Sequence, residues 1–580
     1  MGREKWVVAA KRADFNGIGA RFGIDPVIAR IIRNRGVTGD AQIERYLHGG
    51  RKQLYDPHLL KDADRAAAIL KQKTEQHKKI RIIGDYDIDG VESTYILLRA
   101  LHRLGADADA AIPDRMKDGY GINENLITLA YAAGVDTILT CDNGIAAAAE
   151  IAGAKARGMT VIVTDHHDIP EVLPPADAVI NPKQPDCPYP FDGLCGAAVA
   201  FKLVQVLYEA MGIDVSEADC FIENAGFATV GDVMDLVDEN RILVKLGLEM
   251  LNRTENPGMR ALILQNRLEC GSIRAHHIGF RLGPCLNASG RLDTAKRALR
   301  LLLCEDAAQA GKLAAELVAL NEERKEMTSL AVSEAGRAIE SEGMQGDKVL
   351  VIFLPDCHES LAGIVAGRIR EAYNRPVLVI TRGEQCAKGS ARSVGCYNMF
   401  ESLSREGDLF LKFGGHPMAA GFSLEEENIP VLRQRLNADC ALTEEDLIPK
   451  LVIDVPMPVD YISFSLIEQL ELLEPFGKGN EKPVFADRGL MITSARVVGR
   501  DKNVLRMRLV NENGFSADAV RFGDPEEVFS VVREKYGAAA ADALRGGRRV
   551  SGVRLNMSYY PQINRFQGRE SLQLTITGVQ

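Results

Sequence analysis

Short β-branched segments that alternate with helical stretches constrain the fold of this chain more than any other feature. Residues 80–83, 137–140, 160–163 and 178–180 form four such segments, and helical patterns lie between them near 91–104 and 146–157. Strands that alternate with helices in this way indicate βαβ units around a parallel sheet. We therefore predict an open α/β domain in this part of the chain.

Clusters of acidic and imidazole side chains follow these segments. Three clusters, DYDIDG at 85–90, DNG at 142–144 and DHHD at 165–168, come directly after the first three predicted strands, and Asp232 lies in TVGDV at 229–233. Ligands of open parallel sheets bind beyond the carboxyl ends of the strands, so the first three clusters should converge. Crowded carboxylates repel each other unless cations lie between them. Oxygen ligands with one or two imidazoles and no thiolate favour Mn²⁺ or Mg²⁺, and the number of ligands suggests two ions, which suits phosphoester hydrolysis.

Each motif has another interpretation when it is taken alone. The DYDIDG segment has the spacing of a calcium loop, but that loop needs Glu at its twelfth position, where this chain has Ile96, and a helix before it. The DNG segment alone is an ordinary turn, and His166-His167 alone could cap a helix or pack in a core. The joint order of the motifs favours the metal site. The chain contains no GxSxG or P-loop motif, which argues against a serine hydrolase or a nucleoside triphosphatase.

Composition excludes several further classes of protein. A hydrophobic fraction of 46% argues against a disordered chain, and no apolar run approaches the roughly 18 residues that span a bilayer. The polar start MGREKW does not predict a secretory signal. Eleven scattered Cys without a CxxC motif predict reduced thiols in a cytosolic chain. The net charge of −10 argues against a protein that coats nucleic acid by charge alone.

The remaining segments divide the chain further. Residues 1–75 have helical spacing, residues 305–342 lack Pro and predict one long amphipathic helix, and a second α/β pattern runs from 348 to about 445. Alternating segments at 452–453, 495–498, 504–509 and 572–576 predict a small antiparallel barrel. Within residues 491–580, 14 Lys and Arg outnumber nine Asp and Glu. The low-complexity segment 537–549 is predicted to be a surface loop.

Four of the motifs resemble motifs I to IV of the DHH phosphoesterase superfamily. They are GDYDIDG (84–90), CDNGI (141–145), TDHHDIP (164–170) and TVGDVMDL (229–236). Seven more segments resemble the RecJ family of single-stranded-DNA exonucleases: RMKDGYGIN (115–123), LCGAAVAFKL (194–203), PCLNASGR (284–291), HESLAGIVAGRI (358–369), KGSARS (388–393), FGGHPMAAGF (413–422) and EPFGKGNEKPVF (474–485). The resemblance covers nearly the whole chain from about residue 20 onward.

This resemblance implies a multidomain α/β protein with a C-terminal barrel. Its parts would be a helical N-terminal extension (1–75), a parallel-sheet DHH phosphoesterase domain (76–304), a long connecting helix (305–345), a second α/β domain of DHHA1 type (346–447) and a nucleic-acid-binding OB-fold (448–580). The activity that it implies is single-strand-specific 5′→3′ exonuclease action with release of 5′-mononucleotides. Water activated by two ions, Mn²⁺ or Mg²⁺, would attack phosphorus in line.

The same resemblance implies roles for individual residues. It assigns metal-ligand roles to Asp87, Asp89, Asp142, His166 and Asp232. Asp85 and His167 complete the expected catalytic set: Asp85 would hold the loop or a bound water, and His167 would contact the scissile phosphate.

The substrate contacts implied by the resemblance lie farther along the chain. In the second α/β domain, Gly414 and Gly415 would let the backbone approach the substrate, His416 would touch a phosphate, and Ser390 and Arg392 would hold backbone phosphates. Asn287 and Arg291 belong to a stretch in which Cys285 replaces the usual Arg, and Gly231 replaces a usual Ala beside Asp232. In the barrel the candidates for basic or stacking contacts are Arg496, Arg506, Arg508, Arg521, Phe522, Tyr559 and Tyr560. Aromatic residues at strand spacing could equally form the barrel core, and the GG pair could be a turn.

The resemblance also implies partners and a setting. These are single-stranded DNA, a single-stranded DNA-binding protein, a RecQ-type helicase, a monomeric state, and recombination and repair in a bacterial cytoplasm. Two other functions stay open. A phosphodiesterase for short oligonucleotides or cyclic dinucleotides would need only the two α/β domains, and the basic barrel argues against it. A catalytically silent replication scaffold would lack motif ligands, whereas all five expected metal ligands are present.

Overall fold

The computed structural model describes residues 4–119, 121–566 and 568–580. Tyr120 of the RMKDGYGIN segment and the first three residues of the polar start lie outside the described residues. The chain divides into two compact units. We call Gln53–Pro449 the central unit, and Arg3–Lys52 together with Lys450–Gln580 the terminal unit.

Residues 4–52 belong to the terminal unit. Their elements are β1 (Lys5–Val8), α1 (Phe15–Phe22), α2 (Pro26–Asn34) and α3 (Asp40–His48). The apolar face of α2, including Ile28 and Ile31, is buried in the same core as the barrel residues. The structure therefore differs from the single helical extension predicted over residues 1–75. The segment begins with a strand, and only its last part, from Gln53, packs in the central unit.

The central unit begins with the predicted parallel sheet. Its elements are α4 (Ala63–Glu75), β2 (Ile80–Ile83), α5 (Ile88–Arg103), β3 (Ala108–Ala111), α6 (Glu124–Ala132), β4 (Thr137–Cys141), α7 (Ala148–Ala156), β5 (Thr160–Thr164) and β6 (Ala178–Ile180). The strand order is β3-β2-β4-β5-β6 and every pairing is parallel. All four predicted strands are confirmed. The sequence did not indicate β3, because its residues ADAA carry no β-branched side chain.

Helices cover the region that follows this sheet. They are α8 (Gly196–Ala210), α9 (Ile222–Gly231), α10 (Asp238–Leu251), α11 (Pro257–Gln265), α12 (Ala275–His277), a π-helical turn (Ile278–Leu282), α13 (Gly283–Leu292), α14 (Lys296–Leu303) and α15 (Ala307–Ser341). The long helix α15 confirms the amphipathic prediction. Ala310, Ala314 and Leu317 pack with the first α/β part. Ala331, Ala335 and Ile339 pack with the second α/β part, so one helix is shared by both cores.

The second α/β part completes the central unit. Its elements are β7 (Leu350–Phe353), α16 (Ala362–Tyr373), β8 (Val377–Arg382), β9 (Ala387–Arg392), α17 (Met399–Arg405), β10 (Phe410–His416), β11 (Ala419–Leu424) and α18 (Ile429–Ala438). The strand order is β10-β11-β9-β8-β7, in which β7 and β8 are parallel and the other pairings are antiparallel.

The rest of the terminal unit is a closed barrel with flanking elements. The elements are β12 (Lys450–Ile453), β13 (Val455–Pro456), α19 (Phe464–Leu470), β14 (Phe485–Val498), β15 (Val504–Val510), β16 (Ser516–Phe522), α20 (Glu526–Tyr536), α21 (Ala538–Arg545), β17 (Arg554–Phe566) and β18 (Arg569–Val579). Five strands close in the order β14-β15-β16-β18-β17 and back to β14, with one parallel pairing, β16 to β18. This five-stranded closed arrangement confirms the OB-fold prediction.

Two predictions for the barrel region were wrong. The segment 537–549 is not a loop throughout, because α21 occupies Ala538–Arg545 and buries Ala541 and Leu544. Low sequence complexity hid an alanine-rich helix of high intrinsic propensity. The strand predicted at 452–453 exists as part of β12, but it pairs in parallel with β1 outside the barrel.

Across the described part of the chain, every helix is too short or too polar to cross a bilayer.

Candidate active site

The loop after β2 supplies three acidic side chains. Asp85 follows the strand directly, and Asp87 is the N-cap of α5, where its Oδ1 accepts hydrogen bonds from the backbone N–H of Asp89 at 3.0 Å and of Gly90 at 3.1 Å. Asp89 lies in the first turn of the same helix and is fully buried. Capping by Asp87 therefore fixes the start of α5 and, with it, the position of Asp89.

Asp89 is also held from the opposite side by the first residues of α8. Its Oδ2 accepts a hydrogen bond from Gly196 N–H at 2.6 Å, and its Oδ1 accepts one from Ala197 N–H at 2.8 Å. A Cβ on Gly196 would lie 2.8 Å from the Cβ of Asp142 and 3.0 Å from Asp89 Oδ2. Glycine is required here because two buried acids approach the helix N-terminus, where the helix dipole favours negative charge.

Asp142 follows β4 in a strained backbone conformation. Its φ is 59°, in the left-handed region, and the next residue, Asn143, holds the loop by donating from Nδ2 to Ile83 O at 3.0 Å and to Cys141 O at 2.8 Å. These two bonds tie the end of β4 to the end of β2. Such strain is typical of residues that a functional site holds in place.

His166 after β5 brings the acids together. Its Nε2 lies 3.0 Å from Asp142 Oδ1 and 3.4 Å from Asp89 Oδ2. Asp232, at the C-cap of α9, is 3.7 Å away through its Oδ2. The structure thus brings together side chains from four separate segments.

The donor atoms form overlapping groups. Possible ligand atoms lie within 4.8 Å of one another in each of three groups: Asp85, Asp87 and Asp142; Asp89, His166 and Asp232; and Asp142, His166 and His167. We call the first the Asp85 group and the second the His166 group. Asp142 of the Asp85 group contacts His166 of the other, so two neighbouring ions could share this centre. The family resemblance did not assign Asp85 a ligand role, but its carboxylate lies close enough to those of Asp87 and Asp142 to bind the same ion.

Electrostatics show that the acids are not balanced by side chains. Burial and the neighbouring carboxylates, Asp89 first among them, raise the pKa of Asp142 well above its usual value. Burial and the charge of Asp87 do the same to the pKa of Asp85, and burial raises the pKa of Asp89. Burial lowers the pKa of His166, which keeps its imidazole neutral and able to act as a ligand.

Asp85 Oδ1 and His166 Nδ1 are buried atoms of the centre that have no hydrogen-bond partner among the described residues. Carboxylate oxygens with neutral imidazole are donors that Mn²⁺ and Mg²⁺ accept, and this centre contains no thiolate ligand among the residues that the structure describes. A divalent cation would remove the repulsion that raises these pKa values. The residues present therefore fit such an ion.

His167 differs from its neighbour in charge. Burial acts to lower its pKa, but a 2.7 Å hydrogen bond from Nδ1 to Asp165 Oδ1 and the charges of Asp165, Asp232 and Asp87 together outweigh burial and raise the pKa of His167 to about 9. Asp165 also accepts from the N–H of His166 and of Ile145, so it orients the whole segment after β5. The His167 side chain is 43% exposed, so its cationic ring is accessible to an anion at the centre.

A basic cavity lies in the central unit, lined by residues of both α/β parts. Its volume is about 370 Å³, and its cationic lining residues are Arg115, Arg291, Lys388 and Arg392. Lys388 pairs with Glu359, which leaves three guanidinium groups to dominate the charge. Burial and the charge of Arg115 lower the pKa of Arg291 to about 10. Burial and the charge of Arg370 also lower the pKa of Arg392. Cations that repel each other in a cavity indicate an anion site.

Of the predicted substrate residues of the second α/β part, Ser390 and Arg392 line this cavity. Arg392 donates to Ser390 Oγ at 3.1 Å, and Arg291 donates to Ser360 O at 2.7 Å. His416 is elsewhere: its Nδ1 lies 3.2 Å from Asp168 Oδ2, beside the DHHD segment. Gly414 and Gly415 are on β10, and a Cβ on Gly415 would lie 2.6 Å from the Cα of Ala420 on the paired strand. The GG pair is therefore strand, not a turn.

Several predicted contacts have other roles in the structure. Asn287 Oδ1 accepts a hydrogen bond from Ile88 N–H at 2.8 Å, which supports the metal-site loop. Tyr559 is fully buried in the barrel core, and its hydroxyl donates to Met457 O at 2.7 Å, so stacking on a base by Tyr559 is excluded. Arg508 pairs with Asp518 at 2.7 Å, and Arg521 pairs with Glu527. Arg496 and Arg506 are exposed and directly opposite each other on β14 and β15.

Sequence reasoning missed three residues of the site. Tyr86 and Arg115 line the basic cavity, and the Arg115 guanidinium stacks 4.6 Å from the centre of the Tyr86 ring. Gly363 also lines the cavity, and a Cβ at this position would lie 2.7 Å from Arg392 Nη2. All three stand in segments that resemble family motifs, but no spacing rule singles them out.

Comparisons with known proteins agree with this geometry. Residues 79–223 match the family model of the DHH family, N-terminal domain, residues 346–441 match the DHHA1 domain, and residues 453–578 match the RecJ OB domain. These matches cover the metal centre apart from Asp232, the cavity residues of the second α/β part and the barrel.

Among curated proteins, the chain is 39% identical over 507 residues to the single-stranded-DNA-specific exonuclease RecJ of Bacillus subtilis. That alignment covers 87% of this chain and 64% of the relative, so the chain spans less than two thirds of that protein. The RecJ of Dickeya dadantii is 32% identical, with 95% of each chain covered. Among solved structures, RecJ of Thermus thermophilus in complex with Mn²⁺ has a TM-score of 0.81 at 29% identity, covering 100% of this chain and 80% of that one. The complex of that protein with Mg²⁺ has a TM-score of 0.77 at 28% identity, covering 100% of this chain and 78% of that one.

Proposed function

The chain belongs to the RecJ family of single-stranded-DNA-specific exonucleases, and we propose that it hydrolyses single-stranded DNA from the 5′ end to 5′-mononucleotides. It is a metal-dependent phosphodiester hydrolase that uses Mn²⁺ or Mg²⁺. The observation that carries the proposal is the convergence of the Asp85 group and the His166 group at one centre. Acids gathered so closely are tolerable only with divalent cations between them.

The residues of the centre have distinct tasks. Asp85, Asp87 and Asp142 would hold one ion, and Asp89, His166 and Asp232 the other. When bound, the two ions make water more acidic and offset charge on the phosphate that is attacked. His167, kept protonated by Asp165, would donate a hydrogen bond to an oxygen of the scissile phosphate. His416 lies beside Asp168 of the same segment and would contact the phosphate from the second α/β part.

The basic cavity would hold the phosphate backbone of the strand. Arg291, Ser390 and Arg392 line it together, and Arg115 adds a third guanidinium group. Guanidinium groups bind phosphate oxygens in a bidentate manner, which fixes both position and direction. Gly414 and Gly415, with no side chain on β10, would allow the substrate to approach that strand closely.

In the barrel, Arg496 and Arg506 are the strongest candidates for contact with DNA. They are directly opposite each other, which destabilises a strand pair unless an anion binds there. Arg508 forms an ion pair with Asp518, so it would contact DNA only while also paired with that carboxylate. Tyr559 is buried in the barrel core.

We extend the proposal to the cellular setting on the strength of family membership. The enzyme would act as a monomer in recombination and repair in the bacterial cytoplasm. A single-stranded DNA-binding protein and a RecQ-type helicase would supply its substrate. All eleven Cys are free thiols, which suits a reducing compartment.

Digestion of labelled strands tests the function. Single and double strands with a label at either end are incubated with the protein, with and without Mn²⁺. We expect release of a labelled mononucleotide from 5′-labelled single strands at once, late release from 3′-labelled strands, and no reaction without a divalent ion. Preference for a dinucleotide over a long strand, or inactivity with Mn²⁺ present, would overturn the proposal.

Arg392→Ala is expected to raise KM for single-stranded DNA about 10- to 100-fold, because a charge-assisted hydrogen bond contributes about 1.5–3 kcal/mol. The value of kcat should change much less, since the cavity holds substrate and does not reach the ion ligands. Steady-state kinetics measure both. Arg382→Ala is the matched control, because Arg382 is an exposed arginine on β8 that pairs with Glu426. An equal loss in the control, or an unchanged KM in Arg392→Ala, would argue against a phosphate site.

The double variant Arg496→Ala/Arg506→Ala is expected to bind a long single strand more weakly and with less dependence on salt. Each lost phosphate contact lowers the slope of log K against log salt by about 0.7, so the slope should fall by about 1.4. Fluorescence anisotropy at several salt concentrations measures this. Arg533→Ala serves as control, because Arg533 pairs with Glu526 on α20. An unchanged slope would remove these two residues from the interface.

A further inference from the structure

Ile88 occupies a tight space between two glycines beside the metal centre. It is 1% exposed and stands between Asp87 and Asp89 at the start of α5. A Cβ on Gly231 would lie 2.4 Å from Ile88 Cδ1 and 2.9 Å from its Cγ2, and a Cβ on Gly283 would lie 3.1 Å from Cδ1. Gly231 does not have a positive φ. A methyl group on Gly231 would therefore fit only if the Ile88 side chain shifted.

The two residues belong to the helices that carry ligands of the His166 group. Ile88 precedes Asp89 on α5, and Gly231 is the last residue of α9, directly before Asp232. The backbone N–H of Asp232 donates a hydrogen bond to Ala228 O at 2.8 Å, so the last turn of α9 fixes the backbone position of Asp232. The distance between α5 and α9 at this level thus determines the distance between Asp89 and Asp232.

A second contact ties the same helices one turn deeper. Glu92 on α5 is fully buried, and its Oε2 accepts a hydrogen bond from Asn224 Nδ2 of α9 at 2.7 Å. Burial raises the pKa of Glu92 to about 8, so the side chain adds little charge to the centre near neutral pH. The Glu92–Asn224 hydrogen bond holds α5 and α9 together at its own level. The Ile88–Gly231 contact then determines the distance between the N-terminal end of α5 and the C-terminal end of α9.

We propose that Ile88, packed into the space that Gly231 leaves, is a positioning residue that sets Asp232 against Asp89 and thereby the affinity of the His166 group for its metal ion. The inference rests on the proposed metal-dependent function. Metal sites need ligand atoms placed to within about 0.2 Å, so a methyl group forced into this contact disturbs binding. Gly231, directly before Asp232, is in this way matched by a large side chain on the neighbouring helix.

Reciprocal substitutions test the inference. Gly231→Ala, Ile88→Ala and the double variant are compared with the intact protein by calorimetric titration with Mn²⁺, by kinetics and by thermal melting. Gly231→Ala should weaken one of two Mn²⁺ sites about tenfold, as seen when groups that orient metal ligands are changed. The value of KM for DNA should stay the same. The double variant should recover most of the lost affinity, because removal of the Ile88 side chain makes room for the new methyl group.

The control is Gly336→Ala on α15, where a Cβ would meet nothing within 4 Å. Its Mn²⁺ affinity should equal that of the intact protein. Wild-type affinity in Gly231→Ala, or a double variant no better than the single ones, would overturn the inference. If Gly231→Ala does not fold, Ile88→Val removes only Cδ1 and should weaken the same site to a lesser degree; unchanged affinity there would overturn it equally. Absence of Mn²⁺ uptake by the intact protein would instead refute the proposed function, and the inference with it.

Discussion

Replacing Asp142 with Asn is expected to lower kcat about 10³-fold or more, because bound ions contribute several kcal/mol to transition-state stabilisation and each 1.36 kcal/mol is a factor of ten. Asp142 belongs to the Asp85 group and also contacts His166 of the other group at 3.0 Å. The loss of its charge therefore weakens both sites at once. Asn keeps the volume of the side chain and tolerates the left-handed backbone at this position. Single-turnover kinetics with saturating Mn²⁺ measure the effect.

The same variant should make the metal-free protein more stable. Burial and neighbouring carboxylates raise the pKa of Asp142 well above its usual value, so its ionised form opposes folding, and a neutral amide removes that repulsion. We expect a higher melting temperature without metal and a smaller gain when Mn²⁺ is added. Asp186→Asn is the control, since Asp186 is an exposed acid that pairs with Lys61. Activity above a tenth of wild type with normal Mn²⁺ uptake would contradict the assignment of Asp142.

The second large effect concerns pH. The metal-free protein is expected to lose stability as the pH rises from about 6.5 to about 9, the range set by the raised pKa of His167, and this is the reverse of the usual behaviour of carboxylates in ion pairs. Asp85 and Asp142 have raised pKa values in the folded state, so the folded state keeps protons that the unfolded state has released. The slope of unfolding free energy against pH is then negative. His167 has the same sign: its stabilising contribution is lost as the pH rises through its pKa of about 9.

His166 sets the acid side of this profile. Burial lowers its pKa, so the folded state resists its protonation, and the contribution of His166 to stability decreases as the pH falls below about 6.5, the ordinary pKa of histidine. Mn²⁺ at 100 times its dissociation constant should add about 2.7 kcal/mol. The gain should be larger near pH 8.5 than near pH 6, because the ligands must be deprotonated to bind the ion. Melting curves of chelator-treated protein across this range, with and without Mn²⁺, test the prediction. A stability that rises with pH in the absence of metal would contradict it.

The parallel sheet and its ligands could be predicted because their signals are local. Buried strands such as β4 and β5 are short runs rich in β-branched residues, and the residues that follow them lie at one edge of the sheet by the geometry of parallel strands. This placed Asp142 and His166 together without any structure. Asp232 follows a helix, and its position depends on how α9 packs on α5, so its convergence with the others rested on the resemblance.

The features that could not be predicted depend on tertiary packing, which the alternation of apolar and polar residues along a strand does not determine. Tyr559 has strand spacing whether it faces the core or the solvent, and only barrel closure decides that it is buried. The pairing of β1 with β12 joins residues more than 440 positions apart, which no local pattern indicates. Arg115 lines the basic cavity from a segment with no regular structure in the sequence pattern. Long-range contacts therefore account for most of the differences.

Anomalous diffraction at the manganese edge, from crystals grown with Mn²⁺, is the decisive experiment for a two-ion centre. We expect two neighbouring peaks, one within about 2.5 Å of ligand atoms of Asp85, Asp87 and Asp142 and the other equally close to Asp89, His166 and Asp232. A map with no peak at this centre, or with manganese bound only elsewhere in the chain, would contradict it.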